Sequence, residues 1–122
     1  MNLQELREKG GIVPPGLVKK SIEWKHRDDS GEEVVDTFDV HIARVSFGII
    51  ENLIMSAAND AKDNPEDKRA INAALIAESV RLGDEGKERI SYTDAYQLHR
   101  SLGTALVRAV TEVNSLGEDA KN

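Results

Sequence analysis

VKKSIEWKHRDDSGEEVVDTFDVHIA, residues 18–43, alternates at period two on either side of an acidic turn. Val18, Ile22, Trp24 and His26 share one face of the first half, with Lys20 breaking the pattern. Lys19, Ser21, Glu23, Lys25 and Arg27 share the other. Successive side chains of a strand point to opposite faces, so this spacing predicts a strand with one apolar side. In the second half Val34, Phe38, Val40 and Ile42 point one way, and Val35, Thr37, Asp39 and His41 the other. DDSGEE between them reads as a turn, to which Gly31 gives the backbone freedom it needs. The stretch is predicted to be a β-hairpin with one buried face, on which Trp24 and Phe38 meet across the strands. Asp36 interrupts the apolar parity, and an exposed edge position or a bulge is the expected cause, ahead of a catalytic acid.

Downstream the period changes. Ser46 is placed to cap a helix in which Ile50, Leu53, Ile54, Ala57 and Ala58 recur at helical spacing. ANDAKDNPEDK interrupts it, with Asn64 as a cap and Pro65 at the first position of the next helix. That helix carries Ile71, Ala74, Leu75 and Leu82 on one stripe and Ala73, Ile76 and Val80 on another. Helix is expected through about Ser79, then a short extended excursion to Ile90 in which VRL-GDEGK-ERI reads as a small hairpin. A last helix starts near Ser91 or Thr93, with Ser91 and Asp94 as a capping box. Ala95, Leu98, Leu102, Ala105, Ala109, Val113 and Leu116 form its stripe, Leu106 and Val110 widen it, and Gly117 ends it.

Upstream, NLQELREKG allows a short helix stopped by Gly10-Gly11, and the prolines of GIVPPG forbid regular structure. The expected organisation is a semi-flexible arm over 1–16, one α+β domain over 17–117 and a disordered acidic tail over 118–122. Its core is an N-terminal β-hairpin packed on a small layer of about three α-helices. A chain of 122 residues buries roughly two-thirds of its unfolded surface and folds without staples.

The chemistry is sparse. No cysteine is present, which excludes disulfides, thiolate zinc sites and thiol nucleophiles. His26, His41 and His99 lack metal-ligand spacing, and no phosphate-binding glycine loop or nucleophile elbow occurs. No catalytic residue, cofactor or metal is expected. Sixteen basic against twenty-two acidic side chains give a net charge of −6, which disfavours nucleic acid. No apolar run approaches the ~20 residues that cross a bilayer, and no export signal is read at the N-terminus.

Two stretches carry a resemblance. IEWKHRDDSGEEVVDTFDVHIARVSFG is a hairpin running straight into a helix. LIAESVRLGDEGKERISYTDAYQLHRSLGTALVRAVTEVNSL joins an alanine-rich segment to a "DEGK" turn, an "S-Y-T-D-A" helix start and a long helix ending in "VN-L". Together, over most of 21–116, they resemble tail assembly chaperones of long-tailed bacteriophages or prophages. The resemblance implies a non-enzymatic assembly factor that binds the tape measure protein and helps recruit tail tube subunits. It would act in the cytoplasm of the host bacterium and be absent from the mature virion. It also implies a longer frameshifted form, and Ala120-Lys121-Asn122 is compatible with a slippery GCA-AAA-AAC. The alternatives are a structural tail or tail-completion protein and a small bacterial regulatory binding module. The last helix is expected to turn Leu98, Leu102, Ala105, Ala109 and Val113 inward. Its flank of Arg100, Thr104, Val107, Arg108 and Thr111 is left for the tape measure protein or for another copy of the chain.

Overall fold

The computed structural model describes residues 1–63 and 70–114, with the backbone alone over 57–63. Strand β1 (Leu17–Arg27) pairs antiparallel with β2 (Glu33–Ala43), from Leu17 opposite Ala43 to Arg27 opposite Glu33. The register is continuous, so Asp36 marks an exposed position and no bulge. Asp36 lies opposite Trp24, and its Oδ2 is 2.6 Å from Nε2 of His26 on the same face. Trp24 and Phe38 share that face as expected, but each is half-buried, and Phe38 is opposite Ile22. The fully buried positions are Ile22, Val40 and Ile42, nearer the far end of the ribbon.

Asp28 closes the hairpin. Its Oδ1 accepts from the backbone N–H of Ser30 and of Glu32 and from the Ser30 hydroxyl, at 2.8–3.0 Å. Gly31 takes φ +85°, where an L side chain is strained.

Helix α1 (Leu3–Glu8) starts at Asn2, whose side chain accepts from Glu5 N–H, and buries no residue. Helix α2 (Phe47–Asp63) is capped by Ser46 as expected, Oγ accepting from Ile49 N–H. It runs six residues into the segment read as an interruption, because nothing there breaks a helix before Asn64-Pro65. Ile49, Ile50 and Leu53 are half-buried, but Ile54, expected on the inner stripe, is exposed along with Phe47 and Met55.

Helix α3 (Ile71–Ser79) buries Ala73, Ala74, Leu75 and Ile76 in succession. Four consecutive buried residues wrap the whole circumference, so the two stripes read in the sequence are both core. Ile71, expected on one of them, is exposed at the helix start. Tyr92 Oη accepts from Ala70 N–H at 2.9 Å, serving the first turn that Ala70 cannot cap. The expected cap at Asn64-Pro65 lies outside the described residues, as do Leu116, Gly117 and the tail over 118–122.

Strands β3 (Val80–Leu82) and β4 (Glu88–Arg89) follow, giving one antiparallel sheet in the order β1-β2-β3-β4. Residues 75–90 are thus helix and then hairpin. Only His41 and Ile42 of β2 reach β3, so the rest of the β1–β2 ribbon projects beyond it. A 3₁₀ turn at Asp84–Gly86 folds over the outer face, and a Cβ on Gly86 would lie 2.7 Å from Leu17 Cδ1 and 2.8 Å from His41 Cβ. Only glycine fits that approach.

The last helix is two. Helix α4 (Tyr92–Tyr96), capped by Ser91 as expected, ends at Gln97, and α5 (Arg100–Asn114) begins after His99. The buried centre of α5 is Leu106, Ala109 and Val110; Leu98, Leu102, Ala105 and Val113 are half-buried around it. The fold is α+β, a hairpin whose inner face is covered by helices, as the alternation predicts.

Leu106→Ala is expected to lower stability by about 2–5 kcal/mol in urea denaturation. The turn gives a second test. The Ser30 hydroxyl first, then the Glu32 amide, holds the Asp28 carboxyl below its ordinary 3.8. A depressed carboxylate stabilises above its unfolded value and loses that contribution as pH falls through the folded one. Asp28→Ala should therefore melt below wild type at neutral pH, and the gap should close as pH drops well below 3.8. A gap independent of pH would show that the carboxylate bonds do not hold the turn.

Candidate functional site

The candidate site is built around α5, beginning with its N-terminus. His99 occupies the capping position: its C=O accepts from Gly103 N–H at 2.8 Å, and its Nδ1 accepts from Ser101 N–H at 3.2 Å. The Ser101 hydroxyl accepts from the Trp24 indole N–H at 2.9 Å and lies 2.9 Å from His99 Nδ1. Trp24 also stacks on His26, with ring centroids 3.7 Å apart. The hairpin thus holds the helix start through one indole. The helical run breaks at Gln97–His99: backbone bonds from Gln97 and Leu98 N–H to Asp94 and Ala95 O close α4, and the His99 imidazole caps the start of α5.

Asn114 holds the other end. Its Oδ1 accepts from Val45 N–H at 2.8 Å, and its Nδ2 donates to Val110 O at 2.9 Å and Ala43 O at 3.4 Å. The sequence reading passed over Asn114 and Ser101 as positioning groups. The one available signal was a polar residue four positions after Val110, on the buried side of the helix.

Two grooves flank α5. The first, about 300 Å³, lies between α5 and the α3–α4 pair. Its walls are apolar, with Ala73, Ile76, Leu98 and Val107, and Arg100 and Thr104 stand among its lining residues. That volume is at the small end for ligand sites, and its open shape suits one or two side chains of a partner. The second groove, about 590 Å³, runs between α5 and β1 and is more polar. It takes Thr104 and Arg108 from the helix. The predicted flank is therefore divided. Arg100, Thr104 and Val107 meet on the first groove, Thr104 and Arg108 on the second, and Thr111 lines neither. Val107, expected to stand clear among polar neighbours, is half-buried in the groove wall; Arg100, Thr104 and Arg108 are exposed.

The polar side chains near α5 do not form a relay. Asp36 contacts His26, whereas Ser101 contacts His99, so among the described residues no carboxylate orients the imidazole beside the hydroxyl. Among the described residues no group of three histidine or carboxylate side chains gathers in a way that would hold a metal ion, and no helix is long and apolar enough to cross a membrane. What the surroundings of α5 present is one apolar groove and one more polar groove.

A family model described as phage tail assembly chaperone, TAC, matches residues 4–114. The chain belongs to the phage tail assembly chaperone family. No curated protein and no solved structure gives a match. The matched span takes in α1 through α5, so both grooves of this tail assembly chaperone lie within the family's own region. Its work is accordingly a chaperone role in tail assembly, with protein partners.

The helix start of the chaperone provides a test. His99→Ala removes the side-chain cap and should cost about 1 kcal/mol, read from urea denaturation. Ser101→Ala should in addition shift Trp24 fluorescence, since the indole loses its acceptor. An unchanged emission spectrum in Ser101→Ala would show that the indole bond is absent in solution.

Proposed function

We propose that this chaperone binds the tape measure protein through the groove between α5 and the α3–α4 pair, keeps it soluble and helps recruit tail tube subunits to it. It does so in the host cytoplasm and leaves before the virion is complete. The observation that carries the reading is the apolar groove beside α5, a helix tied at both ends, with Val107 in its wall and Arg100 and Thr104 on its border. A long helical protein exposes apolar stripes at i, i+3 and i+4 spacing, and a groove between helices receives such side chains. The groove is shallow and open, which fits a complex that must later be displaced by tube protein, since affinity is tuned largely through dissociation. A net charge of −6 keeps such a complex from associating further.

Co-expression with the tape measure protein tests this. Wild type should raise the soluble fraction of that protein. Thr104→Arg, at an exposed position on the groove border, should abolish the effect with the melting temperature unchanged. Val107→Asp should abolish it too, with a modest loss of stability, because its wall position is half-buried. Leu106→Asp is the contrasting variant and should unfold the domain by placing an unpaired charge at a 2% exposed position. Tape measure protein kept soluble by Thr104→Arg and Val107→Asp as well as by wild type would place the contact elsewhere. Mass spectrometry of purified virions should find no chaperone.

A further inference from the structure

We propose that the free edge of β1 is a second docking site, where an extended segment of a partner protein that carries a carboxylate adds as a further strand of the sheet. The inference rests on the chaperone reading and gives it a second partner contact, distinct from the apolar groove. In the order β1-β2-β3-β4, β1 is an edge strand of eleven residues. Its pairing phase is fixed at the turn, where Asp28 N–H donates to Glu32 O. Hydrogen-bonded and non-hydrogen-bonded pairs alternate in an antiparallel ladder. Even-numbered residues of β1 therefore bond to β2, and odd-numbered ones turn their N–H and C=O groups outward. Lys25 agrees, since its C=O points away from β2 toward Ser101 Oγ, 3.5 Å off.

The groove beside α5 sits on this edge. Lys20, Ser21, Ile22 and Glu23 all line it, so residues of both faces border one cavity. By the pairing phase, the backbone groups of Ser21 and Glu23 project from the strand edge on which it sits. Helix and strand run side by side between two ties, Ser101 to Lys25 at one end and Lys20 Nζ to Glu112 Oε1, 3.8 Å, at the other. Five residue steps along the strand and eleven along the helix each span roughly 17 Å, so the channel keeps its width along that length. A strand edge facing a helix across a channel is the arrangement in which β-augmentation places a peptide. The Lys20–Glu112 pair crosses the channel, is partly exposed, and opens at little cost.

Charge selects the occupant. Lys20 pairs with Glu112 and Lys25 with Glu23, whereas Arg108, exposed on the channel wall, has no ion-pair partner among the described residues. Ile22 and Ala105 give the channel an apolar side. The segment that fits is extended, has small or β-branched side chains toward α5, and carries a carboxylate for Arg108.

The test is a titration of the full, ¹⁵N-labelled chain with a synthetic dodecapeptide of alternating valine and threonine bearing a central aspartate. A control peptide carries N-methyl groups on alternate backbone amides. At millimolar concentration the first peptide should shift the Ser21 and Glu23 amide signals and slow their exchange with solvent, and the control should not. Ser21→Pro removes an outward N–H that β2 does not use, so it should keep the melting temperature and abolish the shifts. Arg108→Glu should weaken binding roughly tenfold, the loss of one charge-assisted contact. This exposed substitution decides the matter if Ser21→Pro fails to fold. No shift at Ser21 and Glu23 in wild type overturns the proposal, as does undiminished binding by Arg108→Glu. Shifts that depend on protein concentration without peptide would give the edge to a second copy of the chain and likewise overturn it. A negative tape measure co-expression beside a positive titration would fault the chaperone reading alone; the reverse would fault the edge alone.

Discussion

A two-stranded ribbon with one apolar face cannot stay uncovered in water, and in this chain α5 is what covers it. Leu106, Ala109 and Val110 lie over Ile22, Val40 and Ile42, and all six are nearly or wholly removed from solvent. Full burial of one such large side chain contributes about 1.5–3 kcal/mol, whereas an exposed ion pair such as Lys20–Glu112 contributes at most about 1. Apolar burial therefore holds the helix on the sheet. The Trp24–Ser101 and Asn114–Val45 bonds set where along the ribbon it lies. With α5 fixed, α3 and α4 close the other side of the core, and the space left on each flank of α5 becomes a groove.

The hairpin was legible in the sequence because period-two alternation and the DDSGEE turn are local signals, and tertiary contacts only reinforced them. Asp36 looked anomalous because parity counts one residue at a time; its partner is His26, diagonal across the ribbon, and a pair of polar residues satisfies an exposed tip. The helical break at Gln97–His99 was hidden. Leu98 continues the apolar spacing straight through it, and what starts the second helix is the His99 imidazole beside a serine engaged with Trp24, some 77 positions away. Nor did spacing alone centre the stripe of α5. Leu102, Ala105, Leu106, Ala109, Val110 and Val113 are all apolar, and only the direction from which the ribbon approaches puts Leu106 and Val110 deepest.

The same ambiguity explains the outcome for the five flank residues. Val107 is next to Leu106, so a rotation of the buried centre toward Leu106 carries Val107 from open surface into a groove wall. Arg100 and Thr104 come with it, and Arg108 falls to the opposite side. Thr104 borders both grooves, which makes α5 a ridge between two surfaces of different chemistry, one apolar and one carrying strand-edge amides. A ridge of this kind keeps the two surfaces apart by the width of a single helix.

The position of α5 in the chain sets the order in which the molecule can be made. β1 emerges from the ribosome well before the helix that shelters it, which is the last described element. Contacts at such sequence separation form late because loop closure precedes any gain from them. During synthesis the ribbon can form its backbone ladder, but its inner face stays wet until α5 arrives. A nascent chain cut short before residue 100 is thus an adhesive sheet, exposed to the aggregation that unfinished β-structures invite. Translation speed between the codons for β2 and those for α5, and any ribosomal pause there, governs how long that state lasts.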